Sequence, residues 1–530
     1  MSSQKVYLKQ NVQLDPLFNQ WYVWPHLIAP TTAAMNIANS HVKIVKSYVM
    51  APEIHAAAIK NPAMRGGPFL DFDSKRVYEI KALLDKTTKT QAHLLQFAES
   101  IKSLNNILLN EAKGNSLETL YSKVPDLLKG YVELVYDINN HPSMRFIERL
   151  LYKSQYYNLD AQSIALSLVE GDERPFVFST PRMQDDKHVH LHIPLKSPEI
   201  DELFRMRKTP QTYDYIKEVL NVQGEQEAIF QKFFTSEETA KRQPYNDDTV
   251  RIRYLGHACI LVERNGFSIL TDPLVGYHYE GGMSRYTYAD LPEHIDYVLL
   301  THQHSDHVVF ETLLQLRHKI GTVVVPKNRS GGLEDPSLEL ILRNTGFNNV
   351  VEIDSLEAIS VPGGEIVGLP FWGEHGDLNI SSKTAYLICL GGKSIICAAD
   401  SSNLEPKLYE HLHHVIGDVD VIFLGMECDG APMSWMYGAL LVKPLDRKMD
   451  NSRRLCGSDC QRGLDIIERF NCQQVFVYAM GQEPWLSFIT SIRYTDESKP
   501  IVESNKLVEA CRSKGIESER LFGIKEIFLT

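Results

Sequence analysis

The stretch that decides the fold is YVLLTHQHSDHVVF, Tyr297–Phe310. Its first four residues predict a buried strand that runs directly into metal-binding side chains. Side chains two apart share one face of an extended chain, so we expect His302, His304 and Asp306 to point the same way. His307 joins them after a single turn. Three imidazoles and one carboxylate in so short a stretch predict the start of a site for two metal ions, whereas a histidine-rich surface loop is disfavoured by the adjoining strand.

The HxHxDH spacing resembles the signature of the metallo-β-lactamase superfamily. That resemblance implies an α/β fold, namely an αββα sandwich with a two-metal centre at one edge of its sheets. The preceding RIRYLGHACILVERNGFSILTDP, Arg251–Pro273, fits the opening of that fold as two strands joined by the turn Arg264–Gly266. Asp272 is interpreted either as an acceptor that orients a ligating histidine or as a turn residue before proline.

The superfamily resemblance implies further ligands at later strand ends. FWGEHGD, Phe371–Asp377, follows an apolar run and offers Glu374 where members usually carry histidine, with His375 as the alternative. SIICAADSS is a short buried strand that ends on Asp400, at the place of the usual bridging aspartate. The final histidine of the superfamily is absent from VFVYAMGQEPW, Val475–Trp485.

The implied ligands divide over two metals: His302, His304 and Glu374 on the first, Asp306 and His307 on the second, and Asp400 between them. Anionic oxygen donors suit iron better than the imidazole-rich sets of zinc hydrolases, so this set favours two iron ions. VDVIFLGMECDG predicts another buried strand that ends near the metals. Its Glu427 is interpreted as a catalytic residue that hydrogen-bonds a ligand or a water, or that moves when substrate arrives. The alternative interpretation is a salt bridge at the sheet rim.

A narrower resemblance extends over nearly the whole chain. The stretches that carry it are Val6–Pro30, NPAMRGGPFLDF (Asn61–Phe72), GEHGD, MECDGAPMSWMYG (Met426–Gly438) and YAMGQEPW. They are similar to the diiron β-hydroxylases of the chloramphenicol-biosynthesis type. The resemblance implies an O2-dependent non-heme diiron monooxygenase that receives external electrons from a donor protein and forms a homodimer. Its implied substrate is an aminoacyl group on the thiolation domain of a nonribosomal peptide synthetase, in secondary-metabolite biosynthesis.

Two alternatives belong to other classes of function. A dizinc hydrolase of the same fold is supported equally by HxHxDH, but Glu374 and the missing last histidine disfavour it. A non-catalytic scaffold that recruits a carrier domain through residues 1–240 is disfavoured because such a module needs no set of six ligands.

Length and composition bound the rest of the prediction. The 530 residues predict two or more domains. The resemblance implies a mixed α+β N-terminal domain, residues 1–240, for dimerisation, carrier docking and substrate access, and a catalytic domain, residues 241–530. The polar linker Ser236–Thr249 separates them. A net charge of −12 argues against nucleic-acid binding. The sequence shows no apolar run that predicts a membrane span and no signal core, and eight cysteines do not indicate a disulfide scaffold, so we expect a reduced cytoplasmic protein.

Three features of the first region lead to structural predictions. Trp21, Tyr22 and Trp24 form either an interface anchor, or a hydrophobic core or a lid packed on the other domain. Apolar periodicity predicts helices over Lys75–Ala112, Leu117–Val135, Met144–Tyr152, Glu199–Arg207 and Thr212–Val219. His188, His190 and His192 alternate on one predicted strand, where a polar strand face is favoured over a metal site.

Overall fold

The computed structural model describes residues 4–238, 242–329 and 331–530. The predicted domain boundary between residues 240 and 241 lies outside the described residues. The division into 1–240 and 241–530 therefore stays a prediction, and the two regions are described below on either side of it.

Two seven-stranded sheets form the second region. The strands of the first sheet, in spatial order, are Val350–Ile353, Ile320–Pro326, Ile295–Leu299, Phe267–Thr271, Cys259–Arg264, Val250–Gly256 and Lys525–Leu529. Those of the second are Ala358–Val361, Gly364–Leu369, Ala385–Leu390, Lys393–Cys397, Val421–Gly425, Gln474–Tyr478 and Glu517–Arg520. Apolar side chains from the facing sides of both sheets, such as Ile252 and Phe423, pack into one buried cluster.

Helices cover the outer faces of both sheets. Lys407–Ile416, Cys460–Arg469 and Lys499–Ser513 pack on the second sheet, and Phe310–Leu316 and Leu338–Asn344 pack on the first. Shorter helices are Met433–Tyr437, Arg447–Ser452 and Ser487–Thr490. The αββα sandwich is thereby confirmed. Within it, Ile295–Leu299 is flanked by parallel strands on both sides, which explains its apolar sequence.

The N-terminal region mixes small sheets with helices. Its strands are Trp21–Tyr22, Val12–Phe18, Gln162–Leu168 and Val189–Leu191 in one sheet, Gln211–Thr212, Lys5–Leu8 and Phe234–Thr235 in another, and the hairpin Val132–Tyr136 with Pro142–Phe146. Its α-helices are Pro25–Ile28, Pro30–Asn36, Val42–Met50, Pro52–Ala58, Val77–Thr90, Ala92–Glu111, Glu148–Leu151, Pro198–Arg205, Tyr213–Val219 and Gln226–Phe230, with a π-helix at Ile37–His41. The region packs on the outer face of the first sheet, and one buried apolar cluster runs through both.

The helix predictions are only partly right. Lys75–Ala112 is helical but divided at Gln91, whereas the helix predicted over Leu117–Val135 is wrong. That segment forms two 3-10 turns and a strand, and the predicted helix Met144–Tyr152 begins as the partner strand. Asn140, with φ of 61°, closes the connection between the two strands. The hairpin buries Val132 and Leu134, which lie two residues apart. This spacing is that of a strand, and a search for helical periodicity misses it.

The aromatic cluster near the N-terminus is core. Trp21, Tyr22 and Trp24 are buried, and the Tyr22 hydroxyl donates to Glu311 Oε2 of the second region at 3.0 Å. The interpretation as a core packed on the other region is therefore confirmed. Among the described residues, no helix is both long enough and apolar enough to cross a membrane.

Candidate metal centre

The ends of four strands bring the predicted site residues to one edge of the sandwich. The motif follows Ile295–Leu299 in the first sheet, and Glu374, Asp400 and Glu427 follow strands of the second sheet. Potential ligand atoms within 4.8 Å of one another form three overlapping groups: His302, His304, Glu374 and His375; His302, His307 and Asp400; and His257, Asp306 and His307. All six predicted metal ligands therefore lie in one continuous cluster.

Buried polar atoms without partners point into this cluster. Among the described residues, His302 Nε2, Glu374 Oε2, His375 Nε2 and Asp400 Oδ1 are buried and accept or donate no hydrogen bond. A buried polar atom left unpaired is costly, and four of them converging is a strong indication of a missing partner. Imidazole nitrogens and carboxylate oxygens together are donors that iron accepts. The residues present therefore fit a dinuclear iron centre.

The orientation of His304 is fixed by a tyrosine that the sequence analysis did not identify. Its Nε2 lies 2.8 Å from the Tyr437 hydroxyl, and its Nδ1 lies 2.8 Å from Glu374 Oε1. If Nε2 donates its proton to Tyr437, the lone pair of Nδ1 is left facing the cluster. We assign that tautomer because it directs the free nitrogen toward the other ligands.

Asp272 orients His307. Its Oδ2 lies 2.8 Å from His307 Nδ1, which leaves His307 Nε2 to face Asp400 Oδ2 at 3.0 Å. The same carboxylate oxygen of Asp400 lies 3.9 Å from His302 Nε2. The alternative in which Asp272 accepts from a histidine of the motif is confirmed. Asp400 contacts both halves of the cluster, the position that a bridging ligand requires.

His257 is a second residue that the sequence analysis missed. Its Nε2 lies 3.4 Å from Asp306 Oδ2 and 3.3 Å from His307 Nε2. Its Nδ1 accepts a hydrogen bond from the backbone N–H of Gly481 at 3.1 Å, so a neutral ring carries its proton on Nε2. A protonated nitrogen cannot bind a metal. We therefore assign His257 as a donor that orients Asp306, and not as a metal ligand.

The backbone near the cluster is unusually constrained. Five residues other than glycine have left-handed φ values here: His257, Asp272, Glu374, Ala399 and Ala479. Such conformations cost free energy and persist only where the surroundings enforce them, as they do at functional sites. Gly256, beside His257, has φ of 120°, and a Cβ there would lie 2.9 Å from the Trp485 ring. Only glycine suits this turn, whose backbone directs His257 inward.

Two carboxyl groups of the site have raised pKa values, because burial disfavours their ionised forms. Burial raises the pKa of Glu374 to about 7. Burial also raises the pKa of Glu427 well above its usual value, and the charges of Asp400 and Asp306 raise it further. Bound metal ions would reverse this trend by favouring the ionised carboxylates. The arrangement is thus suited to bind several positive charges.

A cavity of about 340 Å³ gives access to the cluster. Asp306, Glu374, Asp400 and Glu427 line it, so Glu427 faces the same space as the predicted ligands. Part of its wall comes from the N-terminal region, at Arg65 and Gly66, and this wall is built by the Asn61–Phe72 segment.

The alternating histidines of the first region lie outside these groups. Strand Val189–Leu191 buries its two apolar residues, while His188 Nδ1 pairs with Asp185 at 2.8 Å. In the part of the chain that the structure describes, His188, His190 and His192 join no group of metal-binding side chains. The interpretation as a polar strand face is therefore supported.

Comparisons with known proteins match both regions. The diiron non-heme beta-hydroxylase N-terminal domain matches residues 7–238, and the beta-lactamase superfamily domain matches residues 251–427. The 4-amino-L-phenylalanyl-[CmlP-peptidyl-carrier-protein] 3-hydroxylase of Streptomyces venezuelae is 39% identical over 521 residues, which are 97% of this chain and 98% of that protein. This chain belongs to the CmlA-type diiron β-hydroxylase family.

The structural comparison agrees with this family. The crystal structure of CmlA, a diiron beta-hydroxylase from Streptomyces venezuelae, matches this β-hydroxylase with a TM-score of 0.93 at 38% identity, covering 99% of this chain and 100% of that one. A metal-dependent hydrolase of Methanopyrus kandleri is 29% identical over 204 residues, 37% of this chain and 80% of its own. The predictions of a non-heme diiron enzyme and of its fold class are confirmed, and the hydrolase alternative is less well supported.

Proposed function

We propose that this β-hydroxylase acts on an aminoacyl group held as a thioester on the carrier domain of a nonribosomal peptide synthetase, in secondary-metabolite biosynthesis. The observation that carries the proposal is full-length similarity to a hydroxylase named for a carrier-bound aminoacyl substrate. The similar hydrolase covers 37% of the chain and therefore accounts for less than half of it.

Six side chains are proposed to hold the metals: His302, His304 and Glu374 the first iron, Asp306 and His307 the second, and Asp400 both. When bound, the two irons supply the oxidising chemistry that, with O2 and two external electrons, adds one oxygen atom to the β-carbon and releases the other as water. The protein contributes ligand geometry, substrate placement and exclusion of water.

The residues around the ligands have separate roles in this proposal. Tyr437 and Asp272 fix the two histidines that they contact, and His257 holds Asp306 by a hydrogen bond. Glu427 faces the cavity and has a raised pKa, so it can carry a proton and hydrogen-bond a ligand or a water there. Glu427 is therefore proposed as the catalytic residue of this set.

We further propose the partners and the setting of the reaction. The N-terminal region supplies part of the cavity wall and is assigned to carrier docking, substrate access and homodimer formation. Electrons come from a separate donor protein, and the reaction takes place in the cytoplasm.

Product analysis tests the reaction. Protein expressed in iron-replete medium is expected to hold two irons per chain, and its reduced form should hydroxylate an aminoacyl-loaded carrier domain in one turnover with O2. The free amino acid should react slowly or not at all, because the carrier supplies binding surface that a small molecule lacks. Stoichiometric zinc with hydrolytic activity, and no oxygen insertion, would support the dizinc hydrolase instead.

Matched variants test the choice between Glu374 and His375. Glu374→Gln should reduce iron content because it removes an anionic ligand, while His375→Gln should leave two irons bound. The reverse pattern in metal analysis would assign the ligand to His375.

A further inference from the structure

Gly66, in the Asn61–Phe72 segment, has a structural role at the mouth of the metal cavity. Trp435 Nε1 donates a hydrogen bond to the Gly66 carbonyl at 3.0 Å. Gly66 has φ of 72°, and a Cβ there would lie 3.1 Å from Ser491 Cβ. A segment of the first region is thus in close contact with the second region at the cavity wall, where a residue with a side chain would be strained at the positive φ of Gly66 and would crowd Ser491.

This contact separates the metal cavity from a second cavity of about 290 Å³. Four residues line both cavities: Arg65, Gly66, Ser491 and Arg493. Arg65 and Arg493 are exposed, so the shared wall reaches the protein surface. An elongated ligand that entered by the second cavity would pass these residues before it reached the metal cluster.

The shared wall offers donors for an anion. Arg493 has one ion pair, a 3.8 Å contact with Glu173, whose side chain is 94% exposed, and such contacts contribute little. Ser491 Oγ is buried and has no hydrogen-bond partner among the described residues. Asp71 and Glu173 line the second cavity but not the metal cavity, so the two arginines carry the charge at the wall itself. Guanidinium groups match the oxygens of a phosphate in geometry as well as charge.

We propose that Arg65 and Arg493, with the Ser491 hydroxyl, bind the phosphodiester of the phosphopantetheine arm that carries the substrate. This inference rests on the proposed function, because a carrier-bound substrate has such an arm and a free amino acid does not. The arm has its phosphodiester at the carrier end and its thioester at the other end. Anchoring the phosphodiester at the surface wall directs the aminoacyl end inward, past Gly66, to the metal cavity.

Binding of two probes to the iron-loaded enzyme tests the site without turnover. The probes are 4′-phosphopantetheine and pantetheine, which differ only in the phosphate. We expect the wild type to bind the phosphorylated probe about ten-fold more tightly or better, the effect of one charge-assisted contact. Arg65→Gln and Arg493→Gln should each lose most of this preference. Arg447→Gln, which removes an exposed charge that lines neither cavity, should keep it.

The outcomes distinguish failure of the phosphate site from failure of the proposed function. Equal affinity of the wild type for the two probes, or no detectable binding of the phosphorylated one, would overturn the inference. So would a preference that survives in both arginine variants, since other groups would then hold the phosphate. In turnover, the two variants should show a KM for the loaded carrier raised about ten-fold with kcat retained. Hydroxylation with unchanged KM refutes the phosphate site alone, whereas no hydroxylation by the wild type refutes the proposed function.

Discussion

The replacement His257→Phe tests whether a buried imidazole orients Asp306 or binds metal. The ring is fully buried, its Nδ1 accepts from Gly481, and its Nε2 lies 3.4 Å from Asp306 Oδ2. Phenylalanine keeps a flat aromatic ring at this position, slightly larger than imidazole, and removes both hydrogen bonds. If His257 is a donor to a ligand, two irons should still bind, with the second held roughly 10- to 100-fold more weakly.

That loss corresponds to about 1.4–2.8 kcal/mol of binding free energy. The unpaired N–H of Gly481 should separately lower the free energy of unfolding by roughly 1–3 kcal/mol. The two effects are distinguishable because one appears in iron retention and the other in thermal unfolding without iron.

The assay is iron content per chain after equilibration with a graded series of chelators, followed by residual β-hydroxylation. His257→Gln provides the control, since its amide can still donate a hydrogen bond and should restore part of the iron affinity. Asp306→Ala gives the reference for the loss of a ligand. If His257→Phe releases one iron as completely as Asp306→Ala, His257 is a ligand and the tautomer argument is wrong. If it changes neither iron affinity nor rate, the contact with Asp306 has no role.

Three further predictions concern metal binding and hydroxylation. Asp400→Asn should lower iron content more than the loss of any single histidine ligand, because its carboxylate contacts both halves of the cluster, and metal analysis of purified variants checks this. Tyr437→Phe should keep both irons but reduce the hydroxylation rate about ten-fold by freeing the His304 ring, and a variant with wild-type rate would exclude that role. Replacing His188, His190 and His192 together with glutamine should leave iron content unchanged; a parallel fall in iron would show that this strand face binds metal.

The metal cluster was predictable because its signals are local. An apolar strand that leads into HxHxDH predicts that the ligating side chains lie at the strand end. Glu374 and Asp400 each follow an apolar run in the same way. Such strand ends meet at one edge of a sandwich, so residues distant in sequence become neighbours. The assignment of individual residues to each metal still rests on the family resemblance and stays a prediction.

His257 and Tyr437 were not predictable by the same reasoning. His257 lies in a short turn between two strands, and its role depends on a hydrogen bond with Gly481, 224 residues away. Tyr437 lies 133 residues from His304 and follows no periodic pattern. Both are identified by contacts between elements that no local pattern encodes. The missed hairpin has a related cause, since Val132–Tyr136 gains its partner only through the turn at Asn140.

A buried charge network shows why the first region is part of the catalytic scaffold. Glu311 is the second residue of the helix Phe310–Leu316, only four positions after His307. Arg174 of the first region lies 2.8 Å from Glu311 Oε2 and 2.6 Å from Asp15 Oδ1, and Tyr22 donates to the same Glu311 oxygen. Side-chain exposures of 1% for Asp15 and 4% for Glu311 place these charges away from water.

Buried ion pairs contribute little net stability, but removing one partner leaves a charge uncompensated and costs about 3–5 kcal/mol. The network therefore specifies geometry more than it stabilises the fold. It ties Phe310–Leu316, and with it the end of the metal-binding motif, to side chains of the first region. A chain limited to the sandwich would lack Arg174, the counterion of Glu311. The first region thus positions the metal centre as well as contributing to its cavity wall.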